Sequence, residues 1–141
     1  MIGLVPVYVC FNSDLRLFAA MLIFYGLRML IQTSFEMRTP PGYIWPDGLI
    51  PSLFVPAGRT TDFFYSGHVG CCLIAFLEAR RARCRLLEAY CLLSIFFQTF
   101  VMLALRGHYS IDLIAGLVIA HWAHIIAKPI DLYLQSKLRR P

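Results

Sequence analysis

Two short segments hold residue types able to move a phosphate group. One is Phe63-Phe-Tyr-Ser-Gly-His-Val69 and the other is Arg106-Gly-His-Tyr-Ser-Ile-Asp112. His108 and Asp112 stand at i and i+4. If a helix begins near His108, both side chains share one face. The carboxylate then accepts one ring N–H, fixes the tautomer and raises the basicity of the other nitrogen. That is a nucleophilic or basic histidine oriented by a third group. His68 supplies a second imidazole, suited by its ordinary pKa to hand a proton to a leaving oxygen. Ser66 and Gly67, just before it, allow close approach of the backbone to an anion. Two cations complete the set. Arg28 sits well inside an apolar run, where a charge is costly. It either grips a phosphodiester through two oxygens, snorkels to the surface, or pairs with Asp62 or Glu36. Arg106 is the other candidate phosphate clamp.

These residues need an apolar framework to hold them, and the composition describes one. The chain has 141 residues, 59% apolar and 15% charged, where a soluble domain is about half apolar and a quarter charged. One small soluble core could not hide that much apolar surface. The net charge of +5 is clustered between apolar runs, which argues against nucleic acid and for a flank facing anionic lipid. Cys71, Cys72 and Cys91 lie inside apolar runs and read as small buried hydrophobes rather than a disulfide framework.

Four runs approach the length of a bilayer span: residues 15–35, 62–77, 86–105 and 111–127. They are apolar on most faces, as helices in lipid are. The expected fold is an all-α, polytopic transmembrane bundle with four clear spans, one membrane domain over residues 1–141. Residues 1–14 and 128–141 are flanks, and no cleavable leader is evident in the first. The connection Glu78-Ala-Arg-Arg-Ala-Arg-Cys-Arg85 and the tail with Lys128, Lys137, Arg139 and Arg140 share a side by helix parity. The positive-inside bias makes that side cytosolic. The proline-rich segment 36–61 and residues 106–110 then lie outside or in a lumen, together with both histidine segments. Segment 36–61 reads as an interfacial loop, with a substrate lid as the sharper alternative. Tyr43 and Trp45 read as belt aromatics, or as a cage for quaternary ammonium. His121 and His124 point away from His108 on an ideal helix and read as packing or interfacial residues, not metal ligands.

Phe64-Tyr-Ser-Gly-His68 and Gly107-His-Tyr-Ser-Ile-Asp112 resemble the paired signatures of one family. It is the phosphatidylcholine:diacylglycerol cholinephosphotransferase and sphingomyelin synthase-like branch of the lipid phosphate phosphatase (PAP2) superfamily. The resemblance covers residues 15–127 and is closest from Phe64 to Ala120, including Glu78-Ala-Arg-Arg81. It implies a fold usually of six spans, of which this chain would hold the C-terminal part, at the endoplasmic reticulum or Golgi. It implies a metal-independent transfer without cofactor: His108 attacks phosphorus of phosphatidylcholine, Asp112 orients it, and His68 protonates the departing diacylglycerol oxygen. A second lipid alcohol, diacylglycerol or ceramide, then takes phosphocholine. Thr61-Asp62 stands where sphingomyelin synthases show Gly-Asp, which disfavours ceramide. The phosphatases' lysine motif is missing and Tyr65 replaces their usual proline, which disfavours hydrolysis. A lipid phosphate phosphatase and a truncated inactive paralogue are the alternatives.

Overall fold

A computed structural model of the chain describes residues 15–34, 40–42 and 64–138. The described residues form four helices: α1 Arg16–Ser34, α2 Gly67–Arg81, α3 Arg85–Ala104 and α4 Ser110–Leu138. The all-helical expectation holds. Three of them, α1, α3 and α4, are long and apolar enough to cross a membrane. At 1.5 Å per residue α1 and α3 are about 28 and 30 Å long, whereas α2 reaches only about 22 Å.

Two boundaries differ from the sequence reading. α2 starts at Gly67, inside the first histidine segment, rather than at Asp62, and Glu78 to Arg81 continue it instead of forming a connection. α4 does not stop at Ala127. It runs 29 residues through Pro129. Proline in a helix interior forfeits one backbone bond and costs about 3 kcal/mol. Beyond it, Asp131 accepts the Leu15 amide at 3.1 Å and holds Gln135, so the last turns of α4 are fastened to the start of α1. That carboxylate also caps an amide at the positive end of α1.

α2 packs against all three other helices, and α1 lies along α4. In lipid there is no water to expel between helices, so close packing and polar contacts must hold them. Gly70 and Gly116 provide the closest approach. A Cβ on Gly70 would lie 2.2 Å from the Phe24 ring, and one on Gly116 would lie 2.7 Å from the Ser66 carbonyl oxygen. Phe24 is fully buried and meets the Tyr65 ring at 5.0 Å between centroids. The Tyr65 hydroxyl donates to the Phe24 carbonyl at 2.6 Å.

α3 is different. Cys91 is its only buried residue, and Leu86, Leu93, Phe96, Phe97 and Phe100 project outward. Such an outer face suits hydrocarbon. Of the cysteines placed in apolar runs, Cys72 and Cys91 are buried and Cys71 is partly so. The N-terminal flank to residue 14, Glu36, Tyr43, Trp45, Asp62, and the Arg139–Arg140 end lie outside the described residues. So do most of the proline-rich segment and the proposed Arg28 pairings with Asp62 or Glu36.

Candidate active site at one end of the bundle

Successive helices run antiparallel, so the end of α1 and the starts of α2 and α4 meet at one end. The Ser66 amide donates to the Asp112 carbonyl at 3.0 Å. That single bond ties the first histidine segment to the second. Gly116, one turn along α4, leaves room for the Ser66 backbone.

His108 precedes α4 rather than lying in it, so the shared helix face expected for His108 and Asp112 does not form. The two meet another way. Asp112, in the first turn, turns back and accepts the Tyr109 amide at 2.9 Å. This is the acidic half of a capping box. The same Oδ2 faces His108 Nδ1 at 3.5 Å, with the imidazole 7% exposed and the carboxylate fully buried. The contact is longer than an ordinary N–H···O bond; catalytic bonds often tighten only when substrate arrives.

Burial pushes the His108 pKa below its ordinary 6.5, and the charges of Arg28 and His68 push the same way, while Asp112 opposes them. Arg28 lies against Gly67, next to His68, and the Ser66–Asp112 bond joins that segment to the one that carries His108. His68 is the second residue of α2 and is exposed at this end.

Arg28 is braced, not loose. Its Nε donates to the Tyr65 carbonyl at 3.0 Å, and its guanidinium lies over Gly67, 3.3 Å from where a Cβ would stand. With its amide oxygen turned inward, Gln32 accepts from both terminal nitrogens at 2.8 and 3.0 Å. Ser66 Oγ and Asp112 Oδ1 are buried here, and neither makes a hydrogen bond among the described residues.

Arg106 is placed differently from the other cation. It has φ 51°, in the left-handed region, and its Nη1 donates to the Pro41 carbonyl at 3.1 Å. His68, His108, Asp112, Arg28, Ser66 and Gly67 are thus brought together, whereas Arg106 is turned onto the 40–42 turn.

A second polar cluster at the opposite end escaped the sequence reading. Glu78, 1% exposed, meets Arg16 at 3.4 Å, Arg81 at 2.9 Å and His124 at 2.8 Å. Arg16 also reaches His124 Nδ1 at 3.3 Å. Arginine can only donate, so Nδ1 accepts and Nε2 carries the proton given to Glu78. His124 is therefore a buried junction between α1, α2 and α4. His121 is exposed, consistent with an interfacial place.

A family model described as AtPDCT1/2 matches residues 5–128. Phosphatidylcholine:diacylglycerol cholinephosphotransferase 1 of Arabidopsis thaliana is 34% identical over 99 residues, covering 69% of this chain and 31% of that protein. Phosphatidylcholine:diacylglycerol cholinephosphotransferase 2 of the same plant is 41% identical over 63 residues, covering 43% of this chain and 21% of that protein. The matches therefore span a third or less of those relatives' own length. No solved structure matches.

Proposed function

The chain belongs to the AtPDCT1/2 family, and on that premise we propose that it transfers phosphocholine from phosphatidylcholine to a second lipid alcohol. The observation that carries this is the joining of the His68 segment, with Arg28 against it, to the His108–Asp112 pair at one end of the bundle.

His108 is the nucleophile. Its Nδ1 faces Asp112, so the carboxylate takes the Nδ1–H and leaves the Nε2 lone pair for phosphorus. The new N–P bond forms as the bond to the diacylglycerol oxygen breaks, and His68 protonates that oxygen. In the return step an acceptor hydroxyl gives its proton to His68 and attacks the phosphohistidine, freeing His108. Arg28 meets the phosphoryl charge, because fixed cations do most of the work in such transfers. The Ser66 hydroxyl and the Gly67 backbone line the same place. Arg106 joins only after releasing Pro41. No cofactor or metal enters the scheme.

Diacylglycerol is favoured over ceramide as acceptor because the sphingomyelin synthase Gly-Asp is replaced by Thr61-Asp62. The site faces the lumen or exterior of an endoplasmic reticulum or Golgi membrane, since the arginine-rich turn lies at the other end.

The test supplies headgroup-labelled phosphatidylcholine with unlabelled diacylglycerol or ceramide. Label should appear on diacylglycerol, and His108→Ala should cut transfer at least about a thousandfold. Undiminished transfer by His108→Ala would reject the nucleophile. Label released into water would identify a phosphatase instead.

A further inference from the structure

The α2–α3 turn, at the end remote from the histidines, carries Arg80, Arg81, Arg83 and Arg85, with Ala82 and Cys84 between them, all exposed. Arg81 is committed to Glu78. No carboxylate among the described residues pairs with Arg80, Arg83 or Arg85. Apart from Glu78, which Arg81 holds, Glu88 one turn into α3 is the next opposing charge in sequence. Hydrocarbon-type surface begins immediately after the turn, with Leu86 at 87% exposure. The three arginines therefore stand at headgroup depth.

Arg83 adds an independent observation. α2 ends in a Schellman turn: the Cys84 amide donates to the Ala79 carbonyl and the Arg83 amide to the Arg80 carbonyl, both at 3.1 Å. The left-handed residue of that turn, normally glycine, is Arg83 at φ 57°. α3 ends the same way, with Arg106 in the left-handed place, and there the side chain is used, on Pro41. The Arg83 side chain has no protein partner among the described residues. Attraction to the helix C-terminus favours any cation there, but it does not need this residue at φ 57°, since Arg80 and Arg81 already occupy the last turn.

We infer that Arg80, Arg83 and Arg85 form a docking surface for the phosphate of an anionic phospholipid in the leaflet opposite the candidate active site. The three guanidiniums present forked donors that match phosphate oxygens, and an anionic bilayer surface is the charge complement at that depth. The inference does not depend on the transferase reading.

The experiment titrates the full chain in detergent micelles with fluorescent phosphatidic acid and with phosphatidylcholine of the same acyl chains. Wild type should prefer the acid. Arg83→Gly keeps, and eases, the left-handed turn, so its melting temperature should hold or rise while its affinity for phosphatidic acid falls about fivefold. Arg80→Gln with Arg85→Gln should lower it further without Arg83 being touched. Unchanged affinity in Arg83→Gly, no preference in wild type, or equal displacement by soluble glycerol 3-phosphate would each overturn the assignment.

Discussion

An imidazole buried beside an arginine gives up its proton readily, and His108 is in that position. Its pKa lies below 6.5, through burial first and then Arg28 and His68, with Asp112 opposing. At neutral pH it is uncharged and able to attack; acidification protonates it and stops transfer. The acid limb of the activity profile should therefore fall below pH 6.5. Asp112→Asn removes the one group that favours the charged ring, so the limb should move to lower pH while the rate drops by about a hundredfold. Arg28→Gln removes a cation and should move the limb to higher pH. pH–rate profiles of labelled headgroup transfer by the two variants check both signs. Limbs that shift together would show that another group titrates. The residue types and their grouping were legible in the sequence, because the chemistry needs His, Asp and Arg at the chain's few polar points. The way His108 meets Asp112 was not. An i, i+4 spacing suggests a helical face, but the helix starts two residues late, and a capping carboxylate brings the pair together instead.

The elements hold the site through one backbone bond and two glycines. Gly116→Ala would place a methyl carbon 2.7 Å from the Ser66 carbonyl oxygen, a backbone atom that cannot rotate away. The junction of α2 and α4 must open by a few tenths of an ångström. A cost of about 1–3 kcal/mol is expected, read as a lower melting temperature with helical circular dichroism unchanged. Headgroup transfer should fall roughly tenfold or more, since small misplacements are expensive in a positioned site. Full activity in Gly116→Ala would show that the Ser66–Asp112 bond does not set the site. The spans of α1 and α3 could be read from apolar length alone. The ends of α2 and α4 could not. Glu78 and the arginines after it look like a hydrophilic connection, and Lys128-Pro129 looks like a stop. Both impressions fail because tertiary partners, His124 and Arg16 for Glu78 and Leu15 for Asp131, satisfy groups that would otherwise need water.

At the scale of the whole molecule the bundle has two polar ends of opposite design. The histidine end leaves buried oxygens on Ser66 and Asp112 without bonds among the described residues. The opposite end spends its charges on one another around Glu78. Removing that carboxylate strands Arg16 and Arg81 beside a buried histidine. Glu78→Ala should cost about 3–5 kcal/mol, measured as thermal unfolding in micelles. Glu78→Gln, which keeps the shape and one acceptor oxygen, should cost less. Equal melting temperatures for wild type and Glu78→Ala would deny the cluster any part in holding three helices together.

The bond from the Leu15 amide to Asp131 spans 116 positions of the chain. At a synthesis rate of about 5–20 residues per second, the carboxylate leaves the ribosome several seconds after the amide it will meet. During that interval α1 is in the membrane with its first turn uncapped by Asp131. A later stretch of polypeptide thus closes an earlier one, and a ribosome that halts before Asp131 releases a bundle with that latch missing.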